Sequence, residues 1–285
     1  MPERSLHVLT AGPQTTVQDL GRPGYAHLGV PRSGALDEPA HRLANRLVGN
    51  PESAATLECL LGGLSFRIGR AGTVAVTGAG APVWVNQRAA GWGSAVSVPA
   101  GALVEVGRVT SGLRAYVAVA GGIDVPEVLG SRSTDLLSGL GPAVLADGDV
   151  LALGAGTGHP GDGEAVTGRA TQPVLRIRLG PRDDWFSPDS LAALDGASYH
   201  VTGESNRIGL RLDGVPLERS RESELPSEGM VLGAVQVPAN GQPVVFLNDH
   251  PVTGGYPVVG VVLAEDLPVC AQVRPGEEVR LRVVR

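Results

Sequence analysis

Apolar and polar residues alternate along most of the chain in short runs broken by Gly, Pro, Asn or Asp, the period-2 signature of half-buried strands. The pattern predicts strands at 73–77, 82–86, 94–98, 102–107 and 115–120. Residues 56–61, then Gly62-Gly63, then 64–68 read as a hairpin, because a Gly-Gly turn supplies the positive φ that primed turns require. Strands spaced this closely favour a barrel or sandwich, which removes or protects sheet edges. One clear helix interrupts them. Asp37 is placed to cap it, and Ala40, Leu43, Ala44, Leu47 and Val48 form its apolar stripe before Gly49-Asn50-Pro51 stops it. Arg42, Asn45 and Arg46 lie off the stripe and are expected to face solvent, a partner or the lip of a site. A shorter helix is expected from Ser187-Pro188 through Leu194, with Gly196 ending it.

Residues 154–172 are rich in Gly and lack apolar periodicity, which marks a linker. The expected organisation is an N-terminal domain over 1–155, a Gly-rich linker over 156–171 and a C-terminal domain over 172–285. The GAGTGHPG run inside it resembles a phosphate loop only superficially, because Pro160-Gly161 stands where a helix should begin. A turn-and-strand pattern recurs as VPAGALVEV at 98, LADGDVLAL at 145 and VRPGEEVRL at 273, a hint of duplicated barrels.

Composition sharpens this picture. With 41 Gly, 22 Pro and a 42% hydrophobic fraction in 285 residues, the chain is turn-rich yet able to build a core. A net charge of -6 gives no basic footprint, so nucleic acid is not an expected partner. The N-terminal stretch lacks a signal-peptide pattern and no apolar run approaches the roughly 20 residues needed to cross a bilayer, which predicts a cytoplasmic protein with no membrane partner. Cys59 and Cys270 stand apart without C-x-x-C spacing and read as buried small hydrophobes. No His cluster of zinc-binding spacing occurs, so no metal ligands are assigned. All 23 basic residues are Arg. Without Lys the chain cannot carry a Walker-A lysine, a pyridoxal Schiff base or covalent biotin.

The densest polar, Gly-rich stretch is QDLGRPGYAHLGVPRSGALD over 18–37, which resembles the signature of the KipA family, also called PxpC or allophanate hydrolase subunit 2. Further blocks are similar in family order: 45–50, Leu57-Glu58, 114–123, 129–134, 205–209, 228–238 and 249–257 with its Thr253-Gly254-Gly255-Tyr256. One departure is Pro251-Val252, where many relatives have Gln-Thr. The resemblance implies a mainly β chain of two cyclophilin-like β-barrel domains with a few short helices. It also implies one subunit of ATP-dependent 5-oxoprolinase, a hydrolase active in a complex with a KipI/PxpB-like subunit and a PxpA-like subunit. Two alternatives follow from the same family: a carboxyltransferase subunit acting on urea- or allophanate-type amides, and a regulator that binds a KipI-like kinase inhibitor.

Phosphorylating a lactam oxygen from ATP creates a leaving group, and such transfer depends on positioning and on neutralisation of charge by Mg and cations. ATP and Mg are therefore expected in the complex, on this chain or another. Arg22 and Arg207 suit bidentate grip of carboxylate or phosphate. Asp19, Glu58 and Asp249 are candidates to orient water, accept a proton or reach Mg. Gln18, Ser33, Asn206 and Thr253 would supply neutral hydrogen bonds, Gly254 and Gly255 close backbone approach, and Tyr256 completes the substrate-binding set. Each has a structural competitor. Asp37 is most simply a helix cap, Asp19 with Gly21 an Asx turn, Arg22 and Arg207 ion-pair partners across a domain interface, and Gly254-Gly255 a bulge or turn. Glu58 reads as functional or paired, since a free buried carboxylate is costly. Ser33 lacks the G-x-S-x-G setting of a nucleophile. Among the histidines His250, beside Asp249, merits a test, whereas His7, His27, His41, His159 and His200 read as packing or surface residues.

Overall fold

The computed structural model describes residues 4–156, 173–221, 223 and 225–284. The expected linker, the phosphate-loop-like run from 157 onward and His159 lie outside the described residues. The chain separates into two compact units. Pro23–Arg32 and Leu136–Ser138 belong to the second unit although they are early in sequence.

The first unit is built from two antiparallel sheets enclosing one core. The six-stranded sheet runs in the order Val150–Ala152, Ser5–Thr10, Gly62–Ile68, Leu103–Arg108, Val83–Val85, Arg88–Ala90. The five-stranded sheet runs Gln14–Gln18, Thr56–Leu60, Ser111–Val119, Gly72–Gly80, Val96–Val98. Alternation decides what each strand buries: Ala115, Val117 and Val119 join Leu6, Leu57 and Phe66 in the core, while Tyr116 and Ala118 turn to the opposite face. That second face is covered by the helix Glu38–Leu47, whose Ala44 and Leu47 pack on Tyr116, Ala118 and Ala75. Asp37 caps the helix by accepting from the Ala40 amide at 3.1 Å.

Two expectations fail here. The hairpin predicted around Gly62-Gly63 does not form, because Thr56–Leu60 pairs within the five-stranded sheet and Gly62–Ile68 within the six-stranded one. Leu61, Gly62 and Gly63 all have positive φ, and this consecutive left-handed backbone carries the chain from one sheet to the other. Asn45 does not face outward either. It is fully buried, donating to the carbonyls of Glu52 and Ala54 at 3.3 and 2.8 Å and accepting from Asn50 at 3.0 Å, which ties the helix to the loop that follows it. Arg42 and Arg46 do remain partly exposed, and both pair with Glu52.

The second unit is a closed barrel of seven strands, in the order Val174–Leu179, Val258–Val262, Ala234–Gln236, Val244–Phe246, Gly209–Gly214, Ser198–Val201, Glu278–Val284. The ring closes through a parallel pairing of its first and last strands, from Val174 opposite Arg280 to Arg178 opposite Val284. Leu175, Ile177, Val235, Val245, Val259, Val279 and Leu281 are fully buried at alternate positions of these strands. The helix Pro188–Leu194 forms where expected, with the Ser187 hydroxyl accepting from the Ser190 amide at 3.1 Å. A third short helix, Leu267–Gln272, was not expected. A two-stranded ribbon pairs Glu228–Gly229 with Thr253–Gly254.

Candidate functional site

The candidate residues divide between the units: Gln18, Asp19, Arg22, Ser33 and Glu58 in the first, Asn206, Arg207, Asp249, Thr253, Gly254, Gly255 and Tyr256 in the second.

In the first unit Asp19 follows directly on the strand Gln14–Gln18 and is filled with donors. One oxygen accepts from the Gly21 amide at 2.8 Å and from the Ser131 and Ser133 hydroxyls at 2.6 Å each; the other accepts from the Arg132 amide at 2.6 Å. The Asx turn with Gly21 is present, inside a larger anchor that holds residues 131–133. Arg22, 1% exposed, donates to the carbonyls of Val128 and Ser133 and lies 4.0 Å from Asp135. Gln18 donates to Thr16 and to the Thr134 carbonyl at 3.0 Å each, while its Oε1 and the Thr134 hydroxyl are buried without hydrogen-bond partners. Ser33 is buried with φ of 51°.

Glu58 belongs to a buried network beneath the helix Glu38–Leu47. It accepts from Tyr116 Oη at 2.7 Å and from the Leu36 amide at 3.1 Å, with Arg114 at 3.5 Å, and Tyr116 accepts in turn from the Asp37 amide at 2.8 Å. Burial, reinforced by the Glu58 and Asp37 charges, pushes the Tyr116 phenol well above its ordinary range, so it remains a donor. His41 is enclosed nearby, bonded to Thr56 at 2.9 Å and to the Glu52 carbonyl at 3.1 Å, and desolvation lowers its pKa to about 4 against the pull of Asp19 and Glu58. It is neutral at pH 7.

In the second unit Arg207 and Asp249 form a bidentate fork, both bonds 2.9 Å, with side chains 1% and 0% exposed. The Leu136 amide also donates to Asp249, at 3.2 Å. Each arginine lies against an aspartate of its own unit, Arg22 4.0 Å from Asp135 and Arg207 on Asp249. Asn206 is exposed and accepts from the Ile208 amide at 2.8 Å, closing a turn. Thr253 is exposed. At Gly254 a Cβ would fall 2.5 Å from Gln236 Nε2, so the missing side chain makes room for an amide that bonds the Tyr256 carbonyl at 3.2 Å. At Gly255 a Cβ would make only ordinary contact, 3.7 Å from the Leu225 carbonyl. Tyr256 is 46% exposed, with the Arg219 guanidinium 5.5 Å from its ring centre.

The three predicted carboxylates thus all have internal donors, and among the described residues no three His, Cys, Asp or Glu side chains group to hold a metal ion. As arranged, this donor set does not fit a protein-held Mg. Asp19 is bonded to residues 131–133, Glu58 to Tyr116 and the Leu36 amide, and Asp249 to the Arg207 guanidinium, so each buried charge is met by donors. The partners Ser131, Ser133, Asp135, Arg114 and Tyr116 were not singled out from sequence, although the blocks 114–123 and 129–134 that contain most of them carried the signal.

The first unit is thus a two-sheet fold and the second a closed barrel, each with a buried Arg–Asp pair. Residues 28–283 match the family described as carboxyltransferase domain, subdomain A and B, and the chain belongs to it. Within it the chain is similar to a 5-oxoprolinase subunit of Escherichia coli, 40% identical over 96% of this chain and 89% of that protein. It is also similar to the urea amidolyase of Lachancea kluyveri, 32% identical over 97% of this chain but only 17% of that protein. The crystal structure of K. lactis urea amidolyase superposes with a TM-score of 0.93 at 30% identity, covering 99% of this chain and 19% of that one. The chain therefore spans about a fifth of these amidolyases. No helix among the described residues is long and apolar enough to cross a membrane.

Proposed function

We propose that this chain is a subunit of an ATP-dependent 5-oxoprolinase, hydrolysing 5-oxo-L-proline to L-glutamate only in a complex with KipI/PxpB-like and PxpA-like partners. The observation that carries this reading is the extent of the match: 96% of the chain aligns with 89% of the Escherichia coli 5-oxoprolinase subunit, where the amidolyase match takes up 17% of its relative. ATP and Mg are used by the complex. Because Asp19, Glu58 and Asp249 are engaged internally, Mg enters with the nucleotide phosphates, and the carboxylates hold the loops that shape the site. Co-purified with both partners, the chain should release glutamate from 5-oxoproline only when ATP and Mg are supplied; a correctly assembled complex that releases none overturns the reading.

A second reading, carboxyl transfer to a urea-type amide, is favoured by the 32% identity to urea amidolyase over 97% of this chain. It requires biotin on a separate carrier, since the chain has no Lys to bear it. Transfer of labelled carboxyl from such a carrier to urea, without glutamate release from 5-oxoproline, selects this second reading.

A further inference from the structure

His250 is the candidate whose lone pair the fold leaves available. Its Nδ1 lies 2.7 Å from the Pro251 carbonyl, an acceptor that can only be met by an N–H, so the proton resides on Nδ1 and Nε2 is the bare nitrogen. Among the described residues the ring makes no second hydrogen bond. Its plane is fixed by stacking on Phe246, with centres 5.9 Å apart and an interplanar angle of 16°. His250 is 6% exposed and follows Asp249, whose carboxylate is held by the Arg207 fork and the Leu136 amide. A ring with its tautomer set, its plane locked and its second nitrogen bare has the arrangement of a general base. The neighbouring carboxylates lack that freedom, since their oxygens are occupied.

We propose that His250 Nε2 is a proton acceptor in the second unit, taking the N–H proton of an amide-class substrate. The inference rests on the proposed function for its substrate class. The N–H bond breaks and its proton goes to Nε2; the freed electron pair forms the second C–N bond, and the carbonyl π pair moves to oxygen. That oxygen then bonds the γ-phosphorus of a nucleoside triphosphate, while the bond from that phosphorus to the β-bridging oxygen breaks and the diphosphate leaves with the electron pair. Burial keeps the imidazole neutral at pH 7, lowering its pKa from 6.5. The charged groups facing it are Arg32, which also favours the neutral ring, and Asp249, which opposes it and shares its charge with Arg207.

His250→Asn retains a donor for the Pro251 carbonyl and removes Nε2. In the assembled complex this variant should lose about 100-fold or more in kcat with KM little changed, lose the acidic limb of its kcat/KM profile, and recover turnover with added imidazole. In parallel, 15N NMR of the wild-type chain should find His250 protonated on Nδ1 at pH 7, with an Nε2 resonance that moves when 5-oxoproline is added. Retention of the acidic limb by an active His250→Asn complex overturns the inference, and so does an Nε2-protonated tautomer. An inactive wild-type complex counts against the proposed 5-oxoprolinase function alone. The base assignment is then decided by the tautomer and by the Nε2 response to 5-oxoproline and, separately, to urea; no response to either overturns it.

Discussion

At Asp19 four donors converge on one buried carboxylate, and two of them are serine hydroxyls more than a hundred residues away in sequence, at separations of 112 and 114. Asp19→Ala strands these donors and should cost about 3 kcal/mol or more. Thr134→Val removes a hydroxyl that has no partner while leaving its backbone bonds to Val17 and Gln18, so it should change stability by less than about 1 kcal/mol. Urea midpoints of the two variants read the contrast, and comparable losses would show that the Asp19 cluster is not an anchor. His41 predicts a pH effect whose sign is fixed by its depressed pKa. The unfolded imidazole titrates near 6.5 and the folded one near 4, so the stabilisation is complete above pH 6.5 and is lost as pH falls towards 4. The loss amounts to roughly 3 kcal/mol. Comparing urea midpoints of wild type and His41→Gln at each pH isolates it: their difference should shrink on acidification across that window and stay level above it.

Elements repeat a single device. The three similar segments beginning at 98, 145 and 273 fold into the same turn, in which Gly101, Gly148 and Gly276 have φ of 75°, 93° and 85°. Each glycine amide donates to a strand carbonyl, of Ile68, Val8 and Val201 respectively, and the next residue's amide closes back to Pro99, Ala146 or Arg274. A Cβ at these three glycines meets nothing within 4 Å, so the constraint is backbone conformation alone. Gly148→Ala should therefore cost about 1 kcal/mol. Gly62→Ala should cost several times more, because its Cβ would fall 2.1 Å from the Gly107 carbonyl oxygen as well. Thermal midpoints of the two variants make the comparison. Local sequence made the turns and the capped helices legible, since Asp37 and Ser187 act on amides three residues away. It misassigned Gly62-Gly63 because a Gly-Gly turn between two strands leaves open whether they pair with each other or with different neighbours.

On the scale of the whole molecule the two units solve the edge problem differently. The barrel closes on itself, whereas the sheets of the first unit keep edges, Val150–Ala152 and Arg88–Ala90 in one and Gln14–Gln18 and Val96–Val98 in the other, of which Arg88–Ala90 and Val96–Val98 are strands of three residues paired on one side. Hydrogen exchange should accordingly be slowest in Ser111–Val119 and in the barrel strands Val174–Leu179 and Glu278–Val284, and fast in those two edge strands. Mass-resolved exchange of the whole chain checks this, and equal protection of edge and centre would contradict the sheet order.

The sequence by itself determined the mainly β class, the turn grammar, the helix caps and the family, because each is encoded in neighbouring residues or in motifs that stand in order along the chain. Tertiary structure decided how the candidate site residues are used. Asp249 meets Arg207 across 42 positions, Asp19 meets Ser131 across 112, and Glu58 meets Tyr116 across 58. Such partners are selected by sheet order and barrel closure, which local periodicity does not specify. Sheet order in the first unit and barrel closure in the second gave the candidate carboxylates Asp19, Glu58 and Asp249 their buried donors, and left the second ring nitrogen of His250 without one.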